Sequence, residues 1–128
     1  MDTALDSLDP VFKPLAMALL ARLVEQRIAV CIVNTRRTQA EQDAAVKRGV
    51  SWVAHSKHQD GLAMDVAPYS VWALHGDSKI DWDTKDPIWL RIGQTAESLG
   101  LKWGGRWVNT PDVGHIEYVG SNVVGVPV

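Results

Sequence analysis

An aspartate interrupts an apolar strand sequence, and this position restricts the chain more than any other. From Gly61 to Ala67 the residues alternate as in a strand. Leu62, Met64 and Val66 would face a core, and Ala63, Asp65 and Ala67 the opposite side. A carboxylate placed there must be paired or bind a metal. His58 is the nearest histidine before it. On one helix the two would stand about 10 Å apart, and on one strand they would face opposite ways. Ligand atoms on one zinc ion lie only about 3–4 Å from each other. A chain reversal at Gly61 would bring them together, for a metal or for a structural salt bridge.

The rest of the chain supplies the frame. Asp9-Pro10 reads as an N-cap followed by proline at the first helical position. It opens a helix from Val11 to about Gln26, with Leu15, Leu19, Leu23 and Val24 at helical spacing. Ile28 to Val33 is rich in β-branched residues and predicts a buried strand, with Cys31 as a small core residue. Thr38 and Glu41 match a capping box, and the helix they open stops at Gly49. Residues 50–60 show no clear period, and residues 68–85 look like a long excursion. Asp86-Pro87 starts a helix that ends at Gly100. A Trp/Gly segment, Trp103 to Trp107, then leads into a last strand, His115 to Val119. Helices and strands alternate without an internal repeat or linker. The expectation is a single α+β domain over residues 1–128, with helices packed on one face of a small, mostly antiparallel sheet and a metal site in a surface cleft.

The last strand carries a second group of donors, Asp112-Val113-Gly114-His115-Ile116-Glu117. His115 and Glu117 share a strand face, and Asp112 can approach the same point across a glycine-containing turn. Two histidines and one carboxylate make three protein ligands, the count of a catalytic zinc site that keeps one position open. Asp112 and Glu117 then offer a general base and a partner for an imidazole. The bland alternative makes Glu117 a solvent-facing strand residue and Asp112 a turn former.

Other classes are excluded. The formal charge is −2, and no run of Lys or Arg is longer than a pair. A nucleic-acid binder would carry a basic footprint, so none is expected as a partner. One cysteine makes no internal disulfide and no Cys-rich zinc site. The apolar stretch Pro14 to Ala21 is too short to cross a bilayer, so no membrane insertion is expected. The acidic start, Met1 to Asp6, does not read as a signal peptide, which predicts synthesis in the cytoplasm without a Sec-type export signal. His55 pairs with His58 in a weak HxxH pattern, and His75 sits in a loop. Both His55 and His75 read as bystanders.

Taken in order, four blocks resemble the zinc D-Ala-D-Ala carboxypeptidase and L-alanyl-D-glutamate peptidase family, in its cell-wall endopeptidase and phage endolysin branch. Thr35-Arg36-Arg37-Thr38 with Gln42 and Gly49 resembles its Y-R-[ST]-x-x-x-Q stretch. Ser56-x-His58 with Gly61, Ala63 and Asp65 matches S-x-H-x-x-G-x-A-x-D. Trp103-Gly104-Gly105-Arg106-Trp107 looks like W-G-G-D-W, and Asp112-x-x-His115-x-Glu117 looks like the closing [DE]-x-x-H block. The resemblance spans about residues 28–119. It implies one Zn2+ held by His58, Asp65 and His115, with Asp112 as the general base. Arg37 would hold a substrate carboxylate or the developing oxyanion, and Ser56 would contact substrate. Glu117 would support His115 from behind. Trp103, with Trp52 and Trp107, would wall the groove or, equally well, pack in the core. Arg106 replaces the family's usual acid, Gly114 a common proline and Ile116 a common phenylalanine. These departures bear on substrate recognition, because none of them is a proposed ligand.

The implied substrate is the peptide stem of peptidoglycan, cut at the L-Ala–D-Glu bond, with Arg37, Arg36 or Arg106 recognising its carboxylates. A monomeric lysis enzyme that reaches the wall after membrane permeabilisation fits this branch. D-Ala-D-Ala carboxypeptidase or dipeptidase activity is the alternative within the family. A zinc-containing module that only binds wall peptides is the alternative outside catalysis.

Overall fold

Four short strands pair in the order β1-β2-β4-β3, in a computed structural model that describes residues 2–49, 57–70 and 79–120. They are β1 (Val30–Asn34), β2 (Ala63–Pro68), β3 (Lys102–Trp103) and β4 (His115–Glu117). Each described strand pair is antiparallel. Among the described residues three α-helices accompany them: α1 (Lys13–Glu25), α2 (Gln39–Lys47) and α3 (Pro87–Ser98). The class is α+β, as the order of elements predicts.

Local chemistry explains the helix starts. The Asp86 carboxylate accepts from the Ile88 N–H at 3.0 Å, with Pro87 at the first helical position. Thr38 Oγ1 accepts from the Glu41 N–H at 3.1 Å, and Glu41 Oε1 accepts from the Thr38 N–H at 3.0 Å. Helix α1 begins slightly later than Asp9-Pro10 predicts. The Asp9 carboxylate accepts from the Val11 N–H at 2.9 Å, and its carbonyl takes the Phe12 and Lys13 N–H groups. One turn therefore precedes the regular helix.

The core joins both long helices to one face of the sheet. Phe12, Ala16, Leu19 and Leu23 meet Ile92 and Ala96 of α3, together with Met64, Val66, Trp103 and Ile116. Val24 departs from expectation and points to solvent, because each helical residue is rotated about 100° from its neighbour and Leu23 already faces the core. Strand β1 also departs from the buried strand expected over Ile28–Val33. It is an edge strand in this sheet, so Val30 to Val33 are only half-buried, and Cys31 is half-exposed rather than core.

Register divides the two faces. Met64 pairs with Ile116, and Ile116 with Trp103, on the helix side. Asp65 pairs with His115, and Ala63 with Glu117. Because the side-chain period of a strand is two, these residues share the opposite face.

Candidate metal centre

His58 reaches Asp65 through a tight reversal. The Lys57 carbonyl accepts from the Asp60 and Leu62 N–H groups, and the His58 carbonyl from the Gly61 N–H. Gly61 stands at φ 72°, a left-handed conformation that glycine adopts without strain. A side chain there would also collide with the backbone of Ser7 and Asp9. The chain thus turns back into β2, and His58 Nε2 lies 3.3 Å from Asp65 Oδ2. From β4, His115 Nδ1 lies 3.3 Å from Asp65 Oδ1. One donor atom from each of His58, Asp65 and His115 falls within 4.8 Å of the others.

Both imidazoles are held from behind. His58 Nδ1 donates to the Thr35 carbonyl at 2.7 Å, which leaves the Nε2 lone pair facing Asp65. His115 Nε2 donates to Glu117 Oε1 at 2.8 Å, which turns Nδ1 toward Asp65. Glu117 is itself fixed by Lys57 Nζ at 3.0 Å. A carboxylate or carbonyl behind a histidine sets its tautomer and raises its basicity as a ligand. The Trp107 ring packs on His115, with centroids 4.9 Å apart. His58 and His115 are almost fully buried.

The donor set fits a zinc ion. Two imidazole nitrogens face one carboxylate, and the enclosed Asp65 Oδ1 has no hydrogen-bond partner among the described residues. A buried carboxylate oxygen left in this way is costly without a cation. Without metal, a proton on His115 takes that place. Burial alone would lower the His115 pKa, but Asp65 and then Glu117 outweigh it and hold the ring at about 9. Burial would raise the Asp65 carboxyl, yet the adjacent His115 and His58 rings keep it well below the usual carboxylate range. Glu117 is likewise raised by burial, but His115 and then Lys57 bring it down to about 2.

Asp112 stands at the rim, on the turn before β4. That turn is built on Gly104: the Asp112 N–H donates to the Gly104 carbonyl at 2.9 Å, and the Asp112 carbonyl accepts from the His115 N–H at 3.2 Å. The residue is exposed, but desolvation by the surrounding walls, followed by the charge on Asp65, raises its carboxyl pKa. Asp65 and Asp112 line one cleft of about 640 Å³, with Val33, Trp82, Thr84 and Trp89 among its other walls.

Other expected residues lie elsewhere. Arg37 Nη1 donates to Gln42 Oε1 at 2.6 Å, and its backbone N–H donates to the His58 carbonyl at 3.0 Å. It lines a second cavity, of about 370 Å³, with Arg36, Thr38 and Gln59. Trp103, expected at the substrate, packs in the core at 5% exposure against Gly93 and Gly105. Its Nε1 donates to the Val113 carbonyl at 2.7 Å, so it braces the turn that carries Asp112. The reason is register: β3 points Trp103 to the helix side, together with Ile116. Arg106 stacks over Trp103 and holds Glu97 through two bonds of 3.0 Å, which occupies its guanidinium away from the donor cluster. Ser56, His55, Trp52 and His75 lie outside the described residues.

Sequence reasoning missed Gly104, Trp82 and Trp89. A Cβ on Gly104 would stand 2.5 Å from the Asp112 carbonyl oxygen and 3.0 Å from His115 Cβ. The Trp-Gly-Gly block was the available signal for Gly104. Nothing in residues 68–85 marked Trp82, and Trp89 carried no signal of its own within the helix that Asp86-Pro87 opens.

Comparisons with known proteins agree with this geometry. The profile of the D-alanyl-D-alanine carboxypeptidase family matches residues 49–118. The peptidoglycan L-alanyl-D-glutamate endopeptidase CwlK of Bacillus subtilis is 31% identical over 128 aligned residues, covering 88% of this chain and 74% of that protein. The L-alanyl-D-glutamate peptidase of Listeria phage A118 is 30% identical over 92 residues, which cover 71% of this chain and 31% of the phage protein. In fold, the chain is similar to the L-Ala D-Glu endopeptidase ChiX of Serratia marcescens, with a TM-score of 0.69 at 21% identity over 90% of this chain and 83% of that one. It is also similar to a mutant of the vancomycin-resistance D,D-pentapeptidase VanY solved with Zn(II), with a TM-score of 0.61 at 14% identity over 88% of this chain and 73% of that one. The chain belongs to the D-alanyl-D-alanine carboxypeptidase family of zinc peptidases.

Proposed function

We propose that this zinc peptidase hydrolyses the peptide stem of peptidoglycan at the L-Ala–D-Glu bond. The observation that carries the reading is the cleft at Asp65. There a three-donor cluster, His58, Asp65 and His115, meets a separate carboxyl, Asp112, that the cluster does not use. The relatives named L-alanyl-D-glutamate peptidases support the choice of bond.

His58, Asp65 and His115 hold the zinc. When bound, the metal supplies a Lewis acid that polarises the scissile carbonyl and makes a nearby water more acidic. Asp112 takes a proton from the attacking water and passes it to the leaving amine. Its place in the same cleft as Asp65, outside the donor cluster, suits it to that double duty. Glu117 fixes the His115 tautomer, and Lys57 fixes Glu117. Arg37, in the second cavity, holds a substrate carboxylate, with Gln42 keeping its fork in place. Ser56, outside the described residues, keeps the substrate contact that the sequence resemblance implies.

Residues 1–128 work as one peptidase domain acting as a monomer; a single sheet and a single core cluster among the described residues support the one-domain reading. No described helix is long and apolar enough to cross a membrane. The place of action is the cell wall, reached as a phage lysis enzyme reaches it, and the likeness to the Listeria phage peptidase supports this. Mass spectrometry of digested peptidoglycan tests the function. New N-termini at D-Glu are expected. Release of terminal D-Ala alone would favour the carboxypeptidase reading, the activity for which the family is named.

A further inference from the structure

We infer that Trp82 is a sugar-recognising residue, which seats the muramoyl group on the amino side of the scissile bond. The inference rests on the proposed L-Ala–D-Glu specificity. In that substrate the L-Ala nitrogen is acylated by the lactyl group of N-acetylmuramic acid. A sugar ring therefore lies one residue from the bond that is cut. On the other side, D-Glu leaves with a free carboxylate.

Charge assigns the two sides. The cleft at Asp65 and Asp112 is lined by Val33, Trp82, Thr84, Trp89 and Val113, and its described lining contains no Lys or Arg. An anionic D-Glu would meet the Asp112 carboxylate there and no Lys or Arg, the one positive charge being the zinc already engaged by His58, Asp65 and His115. The uncharged alanyl and lactyl groups and the sugar ring suit these walls. The cavity that offers guanidinium groups, at Arg36 and Arg37, is separate. The cleft of about 640 Å³ also has room for more than one alanine residue.

Trp82 is placed as a platform. It is 60% exposed, whereas Trp89 in the same cleft is 3% exposed and forms part of the floor. The loop beneath Trp82 is pinned on both sides. The Asp81 N–H donates to the Pro68 carbonyl at 3.0 Å, and Trp89 Nε1 donates to the Asp83 carbonyl at 2.9 Å. The Asp83 N–H also donates to Asp81 Oδ1 at 2.9 Å. An open indole face on a fixed backbone loses little freedom when a flat apolar surface settles on it. The C–H face of a pyranose ring is such a surface.

The test uses N-acetylmuramoyl-L-alanine and the full chain, with binding followed by calorimetry and by saturation-transfer NMR. The wild type should bind it, with saturation strongest at the sugar C–H protons. Trp82→Ala should weaken binding about tenfold, as covering about 60 Å² of indole implies, and Trp82→Phe should restore most of it. Kinetics add a second readout. Trp82→Ala should raise KM for a stem peptide that carries the muramoyl group and leave a free stem tetrapeptide unchanged. Equal binding by Trp82→Ala, no binding by the wild type, or equal KM changes on both substrates would overturn the inference. Failure of the wild type to cut any stem peptide would instead refute the proposed function, which the binding measurement does not depend on.

Discussion

Replacing Gly104 with alanine should damage the site without touching a single donor atom. The added Cβ would stand 2.5 Å from the Asp112 carbonyl oxygen, where ordinary contact begins at 3.4 Å, so the turn must retreat by about 0.9 Å. The same Cβ would press on His115 Cβ at 3.0 Å. Neither neighbour can yield alone, because the Asp112 carbonyl holds the His115 N–H and the Asp112 N–H holds the Gly104 carbonyl. The turn moves as a unit and carries the Asp112 carboxyl and the His115 ring with it. Overpacking of this kind costs about 1–3 kcal/mol, or a fall in Tm of about 3–12 °C for a domain of this size. A misplacement near 1 Å at reacting groups costs about 10²-fold in rate. The assay is kcat/KM on a soluble stem peptide, with a thermal melt of the same preparation. A Gly104→Ala protein that melts and turns over like the wild type would refute the reasoning. A lowered Tm with wild-type kcat/KM would show that the turn does not position the chemistry.

Four further outcomes are expected. The zinc-free protein should melt highest between about pH 4.5 and 6.5: His115, raised from 6.5 to about 9, gives stability that is full below 6.5 and lost as pH rises through 9. Glu117, lowered from 4.5 to about 2, gives stability that is full above 4.5 and lost as pH falls through 2, so melts across pH show whether both losses occur. Arg37→Lys keeps the charge but cannot hold Gln42 and also offer a second fixed donor, so kcat/KM should fall strongly while zinc content stays unchanged. Glu117→Gln should slow turnover less than Asp112→Asn does, because it loosens the support of His115 but leaves the proton acceptor, and parallel kinetics rank the two. Each of His58→Ala, Asp65→Ala and His115→Ala should lower zinc content together with activity, as elemental analysis and the peptide assay would show.

The parts of this fold that can be read from sequence are those in which one local rule acts alone. Asp86-Pro87 and the Thr38–Glu41 pair set their helix starts within a few residues, whatever the rest of the chain does. Asp65 stood out because an acid among apolar strand residues needs a partner, and the reversal at Gly61 brings His58 to it. Tertiary contacts hid the remainder. Strand β3 is two residues long, too short for any period, and exists because Lys102 and Trp103 pair with β4. Its pairing decides that Trp103 faces the core and not the substrate. Cys31 and its neighbours look like an interior strand by composition, but only strand order shows that β1 lies at an edge. Val24 fits a helical apolar stripe until the direction of Leu23 is known. Trp82 belongs to a loop whose sequence is polar, and only the folded cleft gives its ring a neighbour to serve.

The division between ligand and base is the central claim, and the zinc content of Asp112→Asn tests it most directly. Asparagine keeps the shape of the side chain and cannot accept the proton at neutral pH. The variant should hold about one zinc per chain, as the wild type does, and turn over about 10²–10⁴ times more slowly. Loss of zinc from Asp112→Asn would make Asp112 a ligand, and wild-type turnover by a zinc-loaded Asp112→Asn would remove it as the base.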